Sequence, residues 1–166
     1  MKKVPALTTA FTIALALTGC SAGNNDVFES KLQQQDPLAF ARYFVETVQP
    51  PADIETYNRF LHPEGQVEAT PDGKGIGEFY LKNAVSENEY IAENDLLASP
   101  RLQMDDESAD ISYNLPQQIK YDIVYPHSPF ADEPGWVIRE GQILLKKSDG
   151  RWVIAGHTMV GEQENP

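Results

Sequence analysis

The chain has 166 residues, with 13 Lys and Arg against 25 Asp and Glu, a formal net charge of −12. That balance supplies no basic patch to displace counterions from phosphates, which excludes a nucleic-acid binder and a domain lying flat on anionic lipid. A single cysteine, Cys20, rules out a disulfide within the chain, so packing must hold the fold, with seven Phe, seven Tyr and two Trp available for it.

Lys2 and Lys3 follow Met1, and Val4 to Leu17 is apolar and uncharged. A basic start, a short apolar core and small residues after it describe a secretory signal peptide over residues 1–19. The run is shorter than the roughly 20 apolar residues of a membrane-spanning helix. Leu17-Thr18-Gly19-Cys20 resembles the lipobox of bacterial lipoproteins. That resemblance implies a diacylglyceryl group on the Cys20 thiol, cleavage before it, and acylation (palmitate, for example) of the new amine. Several acyl chains, each methylene worth about 0.8 kcal/mol, would hold the protein on a membrane without an apolar segment. In that family an Asp after the cysteine favours inner-membrane retention. Ser21 stands here, so the resemblance implies the periplasmic face of the outer membrane. Cleavage removes two of the 13 basic residues and no acid, leaving 11 against 25, net −14.

Residues 20–35 read as the lipidated cysteine and a polar tether, and residues 36–161 as one domain. Asp36-Pro37 opens a helix, an N-cap acceptor followed by proline at the first helical position. Leu38, Ala41, Val45 and Val48 recur at helical spacing, widened by Phe40 and Phe44, until Gln49-Pro50-Pro51. A second helix is expected over about 52–61, stopped by His62-Pro63-Glu64-Gly65. Val67 to Thr70 reads as a short strand. Ile76 to Val85 reads as a helix; Ser86 to Glu89 matches a capping box, and 86–97 fits helix or strand equally.

After Pro100 the period changes from 3.6 to 2. Segments 101–104 and 109–113 flank an acidic tip and predict a hairpin. Ile119, Tyr121, Ile123 and Tyr125 alternate with polar residues and predict a strand. Pro126 to Pro134 is a loop. Trp136 to Lys147 and Arg151 to Val160 predict two strands joined at Ser148-Asp149-Gly150. Residues 162–166 read as a polar tail. Helices first and an antiparallel meander after them predict an α+β fold, with N-terminal helices packed on one face of a curved antiparallel sheet.

Lys146-Lys147-Ser148-Asp149-Gly150-Arg151-Trp152-Val153-Ile154-Ala155-Gly156-His157 resembles the closing hairpin of nuclear transport factor 2-like domains. The resemblance implies a cystatin-like cone whose sheet curls around the helices, with a pocket or a filled core at its open end. Some members of that superfamily are isomerases, dehydratases or cyclases with an Asp or His in the pocket. Many others bind ligands or partners, or dimerise through the sheet.

Strict alternation puts His157 with Val153, Ala155 and Met159, opposite Trp152, Ile154 and Thr158. His157 is a candidate proton-transfer residue, or a histidine of the sheet rim. Asp53 is a second candidate, or a first-turn acid favoured by the helix dipole. His62 is a third, or a partner of a helix C-terminus; His127 reads as exposed. Scattered histidines and the lack of a cysteine pair give no metal motif, and no cofactor is expected. Gly73-Lys74-Gly75-Ile76-Gly77 lacks the spacing of a phosphate or dinucleotide loop and reads as a turn before a helix. The expected function is therefore a non-catalytic binding or interaction module, membrane-held through Cys20. It would engage a protein partner or a second copy through sheet-face aromatics Tyr113, Tyr121, Tyr125 and Trp136. The alternatives are a small cone-pocket enzyme using His157 or Asp53, and a structural lipoprotein of an envelope complex.

Overall fold

The computed structural model describes residues 36–163, an α+β arrangement of helices and a four-stranded antiparallel sheet. The expected signal peptide, lipobox and tether, residues 1–35, lie outside the described residues. Helix α1 (Pro37–Thr47) starts as its sequence dictates: the Asp36 carboxylate accepts from the N–H groups of Leu38 and Ala39. Its apolar stripe buries Phe40, Ala41, Phe44 and Val45.

Helix α2 is shorter than its periodicity predicts, Ile54–Asn58. The chain leaves it early because Phe60, Leu61 and His62 run beside the sheet. Ile154 N–H donates to Phe60 C=O (2.7 Å) and His62 N–H to Ile154 C=O (2.8 Å), a parallel bridge of Leu61 with Ile154. The strand expected at 67–70 does not form. The Asn58 side chain takes both backbone groups of Val67, at 2.7 and 2.9 Å, in place of a neighbouring strand. Thr70 is occupied too: its N–H donates to Glu78 Oε1 at 2.7 Å, and its Oγ1 accepts from Gly75 N–H at 2.9 Å. The glycine-rich stretch is thus the start of helix α3 (Ile76–Glu93), as a turn before a helix requires.

Helix α3 runs through the segment that the sequence leaves open, to Glu93, where the Asn94 side chain donates to Tyr90 C=O. Its buried positions are Ala84, Glu87, Asn88 and Ile91, besides Gly77 at its start. Asn88 ties it to α1 by donating to Val48 C=O at 3.0 Å.

Strands β1 (Arg101–Met104), β2 (Ser108–Lys120), β3 (Trp136–Ser148) and β4 (Arg151–Gln163) lie side by side in chain order. The β3–β4 turn has two left-handed residues, Asp149 (φ 51°) and Gly150 (φ 74°), between the paired Ser148 and Arg151. Two positive φ angles match the right-handed strand twist, which is why Asp-Gly suits this turn. β4 continues to Gln163, past the expected start of the polar tail. Residues 121–125 do not form a strand: Tyr121–Val124 make the short helix α4. Tyr121 and Tyr125, four residues apart, instead meet across one helical turn, ring centroids 4.8 Å.

The core joins both layers in a single cluster. Phe40, Phe44 and Phe60 from the helical side meet Ile111, Ile143, Leu145 and Trp152 from the sheet. Gly141 lies opposite Tyr113 across the β2–β3 ladder, and a Cβ there would overlap the tyrosine ring. The glycine therefore seats Tyr113 on the core face.

Candidate functional site

The alternation expected in β4 breaks at one residue. Leu145 pairs with Ile154 and Leu144 with Gly156, so Ala155 is an extra residue in the strand. A bulge of one residue reverses the facing of everything after it. His157 therefore lies opposite the buried Ile143, on the core face with Trp152 and Ile154, and not with Val153 and Ala155. Its side chain is 4% exposed and packs edge-on to Phe44, centroids 5.0 Å apart at 88°.

Helix α3 brings Glu87 to the same place. Glu87 is 2% exposed and occupies the stripe that holds Ala84 and Ile91. Tyr125 Oη accepts from Met159 N–H at 2.7 Å and donates to Glu87 Oε2 at 2.7 Å. The turn of α4 is what carries Tyr125 to this position. Oε2 is thereby an acceptor, and the other carboxyl oxygen is Oε1. It stands 3.3 Å from His157 Nε2, without the alignment of a hydrogen bond. Tyr113 brings a third ring to the carboxyl. Glu87 Oε1, His157 Nε2 and Tyr113 Oη are all buried, and the Tyr113 hydroxyl also acts on the Glu87 carboxyl.

Burial sets the charge states. Desolvation pushes Glu87 up to about 8, against the smaller opposite pull of the Tyr125 and Tyr113 hydroxyls. Desolvation pushes His157 down to about 3. Each shift has the sign expected when the charged form is disfavoured. Near neutral pH both groups are predominantly uncharged: a carboxylic acid beside a neutral imidazole. The neighbouring phenols move the same way, Tyr57 to about 12 and Tyr113 well above the ordinary value, first through burial and then through Glu87.

Two limbs of open space meet at His157, and one of them also reaches Glu87. One limb, about 340 Å³, lies between α3 and the 121–130 segment, with Tyr57, Phe79, Tyr80, Asn83, Tyr121, Phe130 and Thr158 around Glu87 and His157. The other, about 500 Å³, runs toward Leu61, His62, Glu64 and Lys146. Tyr57, Tyr80 and His157 line both. Volumes of this size suit a small molecule.

The sequence candidates separate. His157 is in the site. His62 reaches only the second limb, where its Nδ1 accepts from Glu64 N–H (3.3 Å) and caps the 3-10 turn Pro63–Gly65. Asp53 is the N-cap of α2: its carboxylate accepts from Thr56 N–H at 2.8 Å, the bond that does most to lower its pKa. It lines a different groove, with Asn58 and Arg59. The four aromatics do not make one outer sheet face. Tyr113 and Tyr125 are core residues; Tyr121 packs on Tyr125 and Trp136, and Trp136 stacks on Phe130, centroids 5.5 Å.

Glu87, Asn83, Tyr57, Tyr80 and Phe130 are absent from the sequence candidates. The signal for Glu87 was its phase: it falls three residues after Ala84 and four before Ile91, on the buried stripe of α3. A carboxyl in that phase is a buried polar group needing partners. Among the described residues no cluster of three or more His, Cys, Asp or Glu could hold a metal, and no helix is long and apolar enough to cross a membrane. Comparison with protein-family models, with curated proteins and with solved structures yields no match.

Proposed function

We propose that this chain is an envelope lipoprotein, held by acyl chains on Cys20 at the periplasmic face of the outer membrane. Its domain is a non-catalytic binding module that takes a small molecule into the α3–β4 cleft. The proposal includes a nuclear transport factor 2-like cone, supported by the order of helices before meander and by the closing 146–157 hairpin. One observation carries the binding reading: a cleft limb of about 340 Å³ with largely aromatic walls is lined at Glu87 and His157 by two almost fully buried, uncharged polar side chains. Catalysis by His157 is less favoured, because a base whose conjugate acid has a pKa about 3 is a weak proton acceptor near neutral pH. Asp53 caps α2 and lines a different groove, which weighs against it as a residue of this cleft.

Two experiments test the parts separately. Metabolic labelling with palmitate should mark the wild type in the outer-membrane fraction. Cys20→Ser should lose both label and membrane association; an unlabelled wild type in the soluble fraction would overturn the anchor. Native mass spectrometry of the full chain, extracted from that fraction, should retain a small-molecule mass that His157→Leu loses. Retention of the same mass by a variant with a blocked cleft would place the ligand elsewhere.

A further inference from the structure

Independently of the small-molecule reading, we propose that the second limb is a docking edge for an extended peptide of another protein, which adds to β4 as a short strand and sets an acidic side chain against Lys146. β4 is an outer strand of the sheet, and the chain covers its free edge only in part. At one end Ile154 gives both main-chain groups to Phe60 and His62. At the other end Met159 N–H is taken by Tyr125 Oη at 2.7 Å. Between them lie Ala155 to Thr158, whose main chain bonds to no element besides β3 among the described residues. Met159 N–H points away from β3. Residues of an antiparallel ladder alternate in this respect, and no register shift separates Met159 from His157, so His157 turns its N–H and C=O outward too. Burial agrees: His157 as a whole is half-buried while its side chain is 4% exposed, so the open part is main chain.

The limb beside this edge, about 500 Å³, gives an added strand its space. The chain itself begins that strand. Leu61 bridges Ile154 in parallel, then the Pro63–Gly65 turn leads away and leaves the next positions open. A peptide continues the line of residues 60–62. Its successive side chains face opposite ways. On the core side one meets Tyr57, Leu61 and Tyr80, an apolar and aromatic slot. On the other side the next meets Lys146. Lys146 follows the core residue Leu145 in β3, so it stands on the outer face, and it lines the limb with the small Ala155 and Gly156. Lys146 forms no ion pair among the described residues, and the limb's only acid, Glu64, is exposed on the 63–65 turn. An acidic side chain at this point gains a counter-charge, and a basic one is repelled. Main-chain bonds to the edge supply the affinity and the two alternate side chains the specificity. The partner segment is therefore extended, with an apolar residue next to an acid and no proline at the paired amides.

The test is amide hydrogen exchange, read by NMR on the full-length chain in a zwitterionic detergent. The probes are short capped peptides that carry Leu-Glu or Glu-Leu at every register of a Ser/Thr/Val host. Without peptide, His157 N–H should be at least about tenfold less protected than the N–H groups of Ile154 and Met159. Equal protection would mean that the chain covers its own edge, through residues 21–35 or a second copy, and overturns the inference. At least one peptide should then slow exchange at His157 about tenfold. Lys in place of Glu should weaken that peptide about tenfold, and Lys146→Glu should reverse the preference. N-methylation of the peptide amide that faces β4 should abolish binding, while methylation of its neighbour should not. Silence of every peptide, binding that leaves the His157 amide unchanged, indifference to which amide is methylated, or a charge preference untouched by Lys146→Glu overturns the inference. Ile154 exchange, unchanged in the variant, shows that the sheet has kept its fold.

Discussion

At Glu87 and His157 two opposite titrations share one site. Glu87 binds its proton more tightly when folded, about 8 against an ordinary 4.5, so its contribution is full below pH 4.5 and is lost as pH rises toward 8. His157 binds its proton less tightly when folded, about 3 against 6.5, so its contribution is full above pH 6.5 and is lost as pH falls toward 3. Between 4.5 and 6.5 the two slopes oppose each other. Urea denaturation across pH should therefore give stability that rises from 3 to 4.5, stays level to 6.5, and falls toward 8. Glu87→Gln should abolish the decline above 6.5 and keep the acid rise; an unchanged decline would mean that other groups cause it. Tyr125→Phe should cost about 1–3 kcal/mol. It strips the partner from both Met159 N–H and Glu87 Oε2, and the loss is read as a lower denaturation midpoint at unchanged slope.

Elements were legible where their cause is local. The Asp36-Pro37 start of α1 and the Asp149-Gly150 turn need only their own residues, and both form as expected. Elements decided by distant partners were not. The strand at 67–70 yields to the Asn58 side chain and to the cap of α3. The strand at 121–125 yields to a turn whose tyrosine reaches Met159. The single extra residue Ala155 leaves no mark in composition, yet it turns His157 from the expected face to the core. Of the candidate site, His157 was legible as a residue but not in its facing, and Glu87 was hidden inside an apparent capping box. Gly141→Ala tests the element scale. Its methyl would overlap the Tyr113 ring, an overpacking that should cost about 1–3 kcal/mol. Gly141→Ala combined with Tyr113→Leu should recover part of that loss in thermal denaturation.

Across the whole molecule, one core cluster spans helices and sheet, so neither layer has a separate interior. Unfolding should be a single cooperative transition, with far-ultraviolet circular dichroism and tryptophan emission coinciding. Non-coincident curves would mean that the layers separate. The acidic surplus of the chain, 25 acids against 13 bases, favours solubility, while the cleft limb next to α3 is lined by no Lys, Arg or Asp.

The two tryptophans sit in opposite settings. Trp152 is 2% exposed in the core, whereas Trp136 stacks on Phe130, a residue that lines the cleft. The protein thus carries its own optical probe: long-wavelength emission from Trp136 responds to what enters beside Phe130, and short-wavelength emission from Trp152 serves as an internal reference. Titrating a ligand should shift the first and leave the second in place, with no label attached.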